Sequence, residues 1–149
     1  METYQQIKAR QQAEVDAFPI GAAFSEQQVA EMMQKFGLPN DETGYAQIVS
    51  LGAGCYIRRK DVPAWNEMAE RHEKEMKALR KSRKELIAAL RYEFANHECQ
   101  IYNDELKKKI VCECVGLDWE EVKKDAWLSK IYKDAWKLFW NDCVTNDWF

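Results

Sequence analysis

"YAQIVSLGAGCYIRR", residues 45–59, sets two runs rich in β-branched and aromatic residues on either side of Gly52-Ala53-Gly54. Glycine takes positive φ without a steric penalty, so the centre reads as a tight reversal and the whole as a β-hairpin. Upstream, "FPIGAAF" (18–24) has too many small and branched residues to prolong a helix, and Ile20–Phe24 is expected as a short strand. The three strands predict a small antiparallel sheet, which needs helices over one face to be stable.

Between them, Ser25-x-x-Gln28 has the form of a capping box and opens "EQQVAEMMQKF". Its Val29, Met32, Met33 and Phe36 share one side, and Gly37 is placed to end the helix. "LPNDETG" (38–44) reads as loop. At the start of the chain Thr3-x-x-Gln6 is another capping box, and the helix it opens should stop before Pro19.

Downstream, Asp61 is the expected N-cap, with Pro63 in the first turn, of a long amphipathic helix carrying Trp65, Met68, His72, Met76, Leu79, Leu86, Leu90 and Phe94. Ser82 and Arg83 occupy the turn where an apolar residue is due, so the helix either projects past its support or breaks in two. Asn96 closes it. Asp104 and Gly116 bracket the next helix, and Asp118-x-x-Glu121 caps a short one. In the last segment Trp127, Ile131, Ala135, Leu138 and Phe139 form one face, which Trp136, Trp140 and Cys143 widen. The expected fold is α+β and mainly helical, a three-stranded antiparallel sheet packed on a long central helix. A single domain is expected over residues 1–149, with helix–strand–helix–hairpin in 1–60, the long helix in 61–98 and C-terminal helices in 103–149.

The chain has 149 residues, 46% apolar and 32% charged, enough to bury one core and too apolar for disorder. No run of about 18 apolar residues marks a membrane span, and the N-terminus lacks a leader pattern, so a cytoplasmic protein is expected. Five cysteines, an odd number without an export signal, fit reduced thiols. The net charge of −3 hides a positive middle third, where eleven basic residues meet eight acidic ones.

His97-x-Cys99…Cys112-x-Cys114 borrows the alphabet of a zinc site. Zinc ligand pairs usually have two residues between them, and on a helix Cys112 and Cys114 point about 200° apart. They cannot share an ion, so packing is preferred for one of them and partial exposure for the other. His72 and His97 each have a neighbouring glutamate, and each is read first as a half-buried histidine satisfied by one hydrogen bond. "GAGCYIRR" lies between strands, without the helix a phosphate loop needs, and no serine nucleophile motif occurs. No enzyme activity, catalytic residue or cofactor is expected.

Two surfaces suit binding. One is basic: Arg58, Arg59 and Lys60 at the hairpin exit, then Arg80, Lys81, Arg83 and Lys84 in the unbalanced "RKSRK". Helix, strand, helix and a basic hairpin also match a winged-helix DNA-binding regulator, but the helix that would enter the groove holds Glu26 and Glu31 against Lys35. The other is aromatic, because five of six tryptophans fall within the last 31 residues. Trp136, Trp140, Trp148 and Phe149 are the candidates for contact with a partner or a second copy, since tryptophan and arginine dominate interface hot spots.

"QQAEVDAFPIGAAFSEQQ", "EMMQKFGL", "IVSLGAGCYIRRKD", "EMAERHEKEMK", "YEFANHE" and "VGLDWEEV" resemble a family of small uncharacterised proteins encoded by bacteria, phages and other mobile elements. The resemblance covers roughly residues 4–125 and departs in the tryptophan-rich tail. It implies a setting and no catalytic residue or cofactor: a small protein that occupies a surface on a host protein, in its sharpest form an anti-CRISPR-like inhibitor of a defence nuclease complex. With −3 on a mixed surface, such an inhibitor would bind by shape and anchors and not as an acidic mimic of nucleic acid.

Overall fold

The computed structural model describes residues 2–149. The chain divides into two compact units, residues 10–72 and residues 1–9 with 73–149. Helices α1 (Tyr4–Ala17) and α4 (Val62–Arg80) contribute residues to both.

In the smaller unit, strands β1 (Gly21–Ala22), β2 (Ile48–Gly52) and β3 (Cys55–Arg58) form an antiparallel sheet in the order β1-β3-β2. Gly21 faces Tyr56 and Ala22 faces Cys55, while Val49 faces Ile57 and Ser50 faces Tyr56. The hairpin reversal runs through three positive φ values, 90° at Gly52, 53° at Ala53 and 75° at Gly54, and a register shift follows Ser50. Helix α2 (Glu26–Phe36) backs the sheet: Met32 and Met33 are buried with Ala23, and Val29, Phe36, Ile48 and Tyr56 pack around them. Ser25 caps α2 through the Gln28 amide, while the Gln28 side chain accepts from the Phe24 amide, so the expected box is only half closed. Gly37 ends the helix at φ 69°.

The segment expected as loop contains a further helix, α3 (Glu42–Tyr45), nucleated by Asp41, whose carboxylate accepts from the Thr43 and Gly44 amides at 2.9 and 3.1 Å. One turn is too short to leave a periodic pattern, and only its cap marks it. Gly44 is buried so tightly that a Cβ there would lie 1.7 Å from the Pro39 carbonyl oxygen. Ahead of α4, Arg59–Asp61 forms a 3-10 turn and the Asp61 carboxylate receives Arg58 Nε at 2.8 Å.

In the larger unit the 61–98 segment breaks: α4 stops at Arg80 and α5 (Arg83–Asn96) restarts after Ser82, whose hydroxyl caps the Glu85 amide at 3.3 Å. Of the two outcomes the sequence left open, this is the one adopted, because a serine there satisfies orphan amides better than it continues a helix. Helix α5 lies against α8 (Ala126–Asn146), with α6 (Glu105–Cys114) and α7 (Trp119–Lys124) completing the layer. Leu86, Leu90 and Phe94 of α5 meet Val111 and Cys112 of α6 and Ile131, Ala135, Phe139 and Cys143 of α8 in one core. The Phe94 ring stands edge-on to both Tyr132 and Trp136 with centroids 5.2 Å apart. Burying such a side chain stabilises the fold by about 1.5–3 kcal/mol.

The buried face of α8 is rotated from the expected one. Ile131, Tyr132, Ala135, Phe139 and Cys143 are buried, whereas Trp127 and Leu138 are exposed. Those two sit roughly 90–110° around the helix from the centre of the buried set, at the limit of what α5 can cover.

Candidate functional site

Two features of the larger unit stand out from its ordinary packing. The first is polar and centres on Glu93, whose side chain is fully buried in α5. Two groups from α1 hold its Oε1: the Tyr4 hydroxyl donates at 2.7 Å and Lys8 Nζ at 2.6 Å. Its Oε2 faces Asn96 Nδ2 and His97 Nε2, each at 3.4 Å. Glu93 and His97 are four residues apart, so the last turn of α5 places both on one side. Cys114, the final residue of α6, brings Sγ to 3.5 Å from the same Nε2, and the Tyr4 hydroxyl also reaches the Cys114 carbonyl at 3.3 Å.

The electrostatics follow from burial and these partners. Burial opposes ionisation of Glu93, but the hydrogen bonds from Lys8 and Tyr4 outweigh it and hold the carboxyl below the usual range. Burial and then Glu93 push the Cys114 thiol up, outweighing the opposing pull of the Lys8 ammonium, so it stays protonated. A nucleophilic cysteine needs a base whose two ring nitrogens face different partners. Here thiol and carboxylate meet one nitrogen, which is the arrangement of converging ligands and not of a relay.

Of the four metal candidates read from the sequence, the fold brings only His97 and Cys114 together. Cys99 and Cys112 are buried in the apolar core, where burial raises their thiols to about 11 and about 12. Cys112 buried and Cys114 exposed is the split that two residues of helix require. Glu93 was missed, and the Glu-x-x-x-His spacing was the signal that could have found it. His72 belongs to the smaller unit, where its Nε2 meets Glu14 Oε2 at 2.8 Å and Arg71 Nη2 reaches the same oxygen at 2.6 Å. Hydrogen bonds from Arg71 and His72 hold the Glu14 carboxyl well below the usual range.

The basic residues are less free than the sequence suggests. Arg80 donates to Glu73 at 3.1 Å and to the Val115 carbonyl at 3.4 Å, and Arg83 pairs with Asp134, 51 positions along the chain. The "RKSRK" cluster, expected to be unbalanced, is thus half neutralised, by Glu73 two turns back on α4 and by Asp134 of α8. Lys81 and Lys84 are exposed. In the smaller unit Arg58 pairs with Asp61, Arg59 donates to the Ala46 carbonyl at 3.0 Å, and Lys60 is exposed.

The second feature is the aromatic outer face of α8. Trp136, Trp140 and Phe149 form a chain of rings with centroids 6.0 and 5.2 Å apart. Trp140, Val144, Trp148 and Phe149 are 41%, 61%, 43% and 64% exposed, so this apolar strip faces water. The segment is held in place: Asp147 turns the helix end at φ 53°, the Trp148 amide donates to the Cys143 carbonyl at 3.1 Å, and Gln100 Nε2 donates to the Trp148 carbonyl at 3.2 Å. Ile101 and Tyr102, next to Gln100 in the chain, are 68% and 62% exposed. Two shallow hollows of about 430 and 400 Å³ share Trp136 and Lys137 on the same helix.

Residues 3–138 match a family model described as a family of unknown function, DUF7659, and the chain belongs to that family. The match reaches further than the resemblance expected to end near residue 125, and it leaves Trp140, Trp148 and Phe149 outside. No curated protein and no solved structure matches the chain. Among the described residues no helix is long and apolar enough to cross a membrane.

Proposed function

We propose that this protein acts by binding another protein through the aromatic face of α8, and that the partner is a host protein of a bacterial defence system, such as a nuclease complex, inhibited by occupation of its surface. The observation that carries the reading is the ordered, exposed strip of Trp140, Val144, Trp148 and Phe149. Apolar patches of this kind, rimmed by polar groups such as Lys137 and Asn141, mark interaction surfaces. The phage-type setting rests on the resemblance of the sequence motifs.

Tagged protein passed through a bacterial lysate, beside a Trp140→Ala/Phe149→Ala variant, tests both halves. A defence component is expected to be retained by the parent chain and lost from the variant. Removing a hot-spot tryptophan costs about 2 kcal/mol or more, roughly a thirtyfold loss of affinity. Equal retention by both proteins sinks the assignment of the surface, and retention of a protein outside defence sinks that of the target. A second copy as occupant would show as a dimer in light scattering, dissociated by the same variant.

A second reading rests on the smaller unit, whose helix, strand, two helices and hairpin, with strand order β1-β3-β2, keep the element order of a winged helix. Its six basic residues face nine acidic ones, and the short α3 carries Asp41 and Glu42 at its start, which opposes approach to phosphates. Salt-dependent retention on DNA-cellulose, lost on reversing the charge of Arg59 and Lys60, would favour this reading over the first.

A further inference from the structure

We infer that Glu93, His97 and Cys114 form a zinc site, with one carboxylate oxygen, one imidazole nitrogen and one thiolate as protein ligands and a fourth position open to water.

The three ligand atoms lie within 4.8 Å of one another. Tetrahedral zinc, with bonds of about 2.0–2.3 Å, sets neighbouring ligand atoms about 3.3–3.7 Å apart. The Cys114 Sγ to His97 Nε2 distance of 3.5 Å and the His97 Nε2 to Glu93 Oε2 distance of 3.4 Å already have that length. Without a cation the three groups can join only through the protons of the thiol and the imidazole. A cation at the centre satisfies all three donors.

Two helix ends favour positive charge at this point, against the Lys8 ammonium on the other oxygen of Glu93. Glu93 and His97 lie at the C-terminal end of α5 and Cys114 at that of α6, and helix C-termini carry partial negative charge. The Tyr4 hydroxyl and Lys8 ammonium occupy Oε1 of Glu93 and leave Oε2 turned toward His97, the kind of outer support that orients a metal-binding carboxylate. The mixed sulfur, nitrogen and oxygen set selects zinc over the hard cations magnesium and calcium, which take oxygen ligands. With Cys114 exposed and the His97 side chain 24% exposed, the remaining coordination position faces solvent. This site is independent of the α8 surface proposed for partner binding.

The test uses the full chain, freed of metal by chelation and titrated with zinc chloride, then with cobalt chloride as a spectroscopic probe. One equivalent of zinc per chain is expected by native mass spectrometry, and cobalt should develop a thiolate-to-metal charge-transfer absorption. Cys114→Ser should abolish that absorption, and both Cys114→Ser and His97→Gln should weaken zinc binding at least a hundredfold. Cys55→Ser should leave binding unchanged. Since Cys114 and His97 are at the surface, circular dichroism of the variants should match the parent and keep the comparison valid. Failure of the parent chain to take up stoichiometric zinc overturns the proposal. So does zinc binding that changes less than tenfold in Cys114→Ser, or zinc displaced by a modest excess of magnesium.

Discussion

Replacing Tyr4 by Phe and Glu93 by Gln, singly and together, probes the interaction on which Glu93, the one fully buried charged side chain among the described residues of the larger unit, depends. Tyr4 is 3% exposed and its ring packs edge-on against Tyr92 at 5.8 Å, so Phe keeps the packing and removes only the hydroxyl. The 2.7 Å bond it donates goes to an ionised group with no access to water, and hydrogen bonds to charged groups are worth about 1.5–3 kcal/mol. The loss should fall in that range at neutral pH, and since urea slopes run at about 1–3 kcal/mol per molar, the midpoint should drop by about 1 M with an unchanged slope. Tryptophan fluorescence follows this unit selectively, because five of the six tryptophans lie in residues 119–148. Because Glu93→Gln keeps an amide oxygen that can still accept the bond, the coupling in the double-mutant cycle measures the part that depends on charge, about 1 kcal/mol.

The pH dependence gives a second reading of the same bond. The Glu93 carboxyl is held below its ordinary 4.5 in the folded chain, so its stabilising contribution is complete above that value and is lost as pH falls through the lower folded one. The penalty of Tyr4→Phe should therefore be full at neutral pH and shrink in acid toward the roughly 0.5–1.5 kcal/mol of a neutral hydrogen bond. Coupling below about 0.5 kcal/mol, or a penalty that grows on acidification, would refute the argument that Tyr4 stabilises the ionised form.

Three further outcomes are expected. Ser82→Ala should lower the stability of the larger unit by about 0.5–2 kcal/mol through loss of the α5 cap, whereas Ser82→Gly should cost only a few tenths, as urea midpoints will report. Gly44→Ala should destabilise the smaller unit by about 3 kcal/mol, because the new methyl meets the Pro39 carbonyl, a backbone group that cannot swing aside; hydrogen exchange of the β2 and β3 amides checks it. In chelator at neutral pH a maleimide should label Cys55, and more slowly the exposed Cys114, whose thiol is also pushed up, and leave Cys99, Cys112 and Cys143 unlabelled until the chain unfolds, since these three are buried. Intact-mass spectra at successive times count the labels.

What the sequence determined by itself was local. Gly52-Ala53-Gly54 requires a reversal, Ser25, Asp104 and Asp118 start helices by satisfying amides within three residues, and Pro19 and Gly37 stop them, so most elements and the three-stranded sheet were legible. Helix α3 was not, because one turn held by Asp41 has no period to read. Tertiary structure alone decided the rest. Which side of α8 was buried depended on where α5 came to lie, whereas the break at Ser82 used a cap as local as the others. The "RKSRK" charge was answered by Asp134, and the Glu93, His97 and Cys114 cluster joins the ends of two helices with Tyr4 and Lys8 from a third. Period and capping act over a few residues of one chain segment, whereas converging side chains are set by how helices pack, and packing is not written in any one segment.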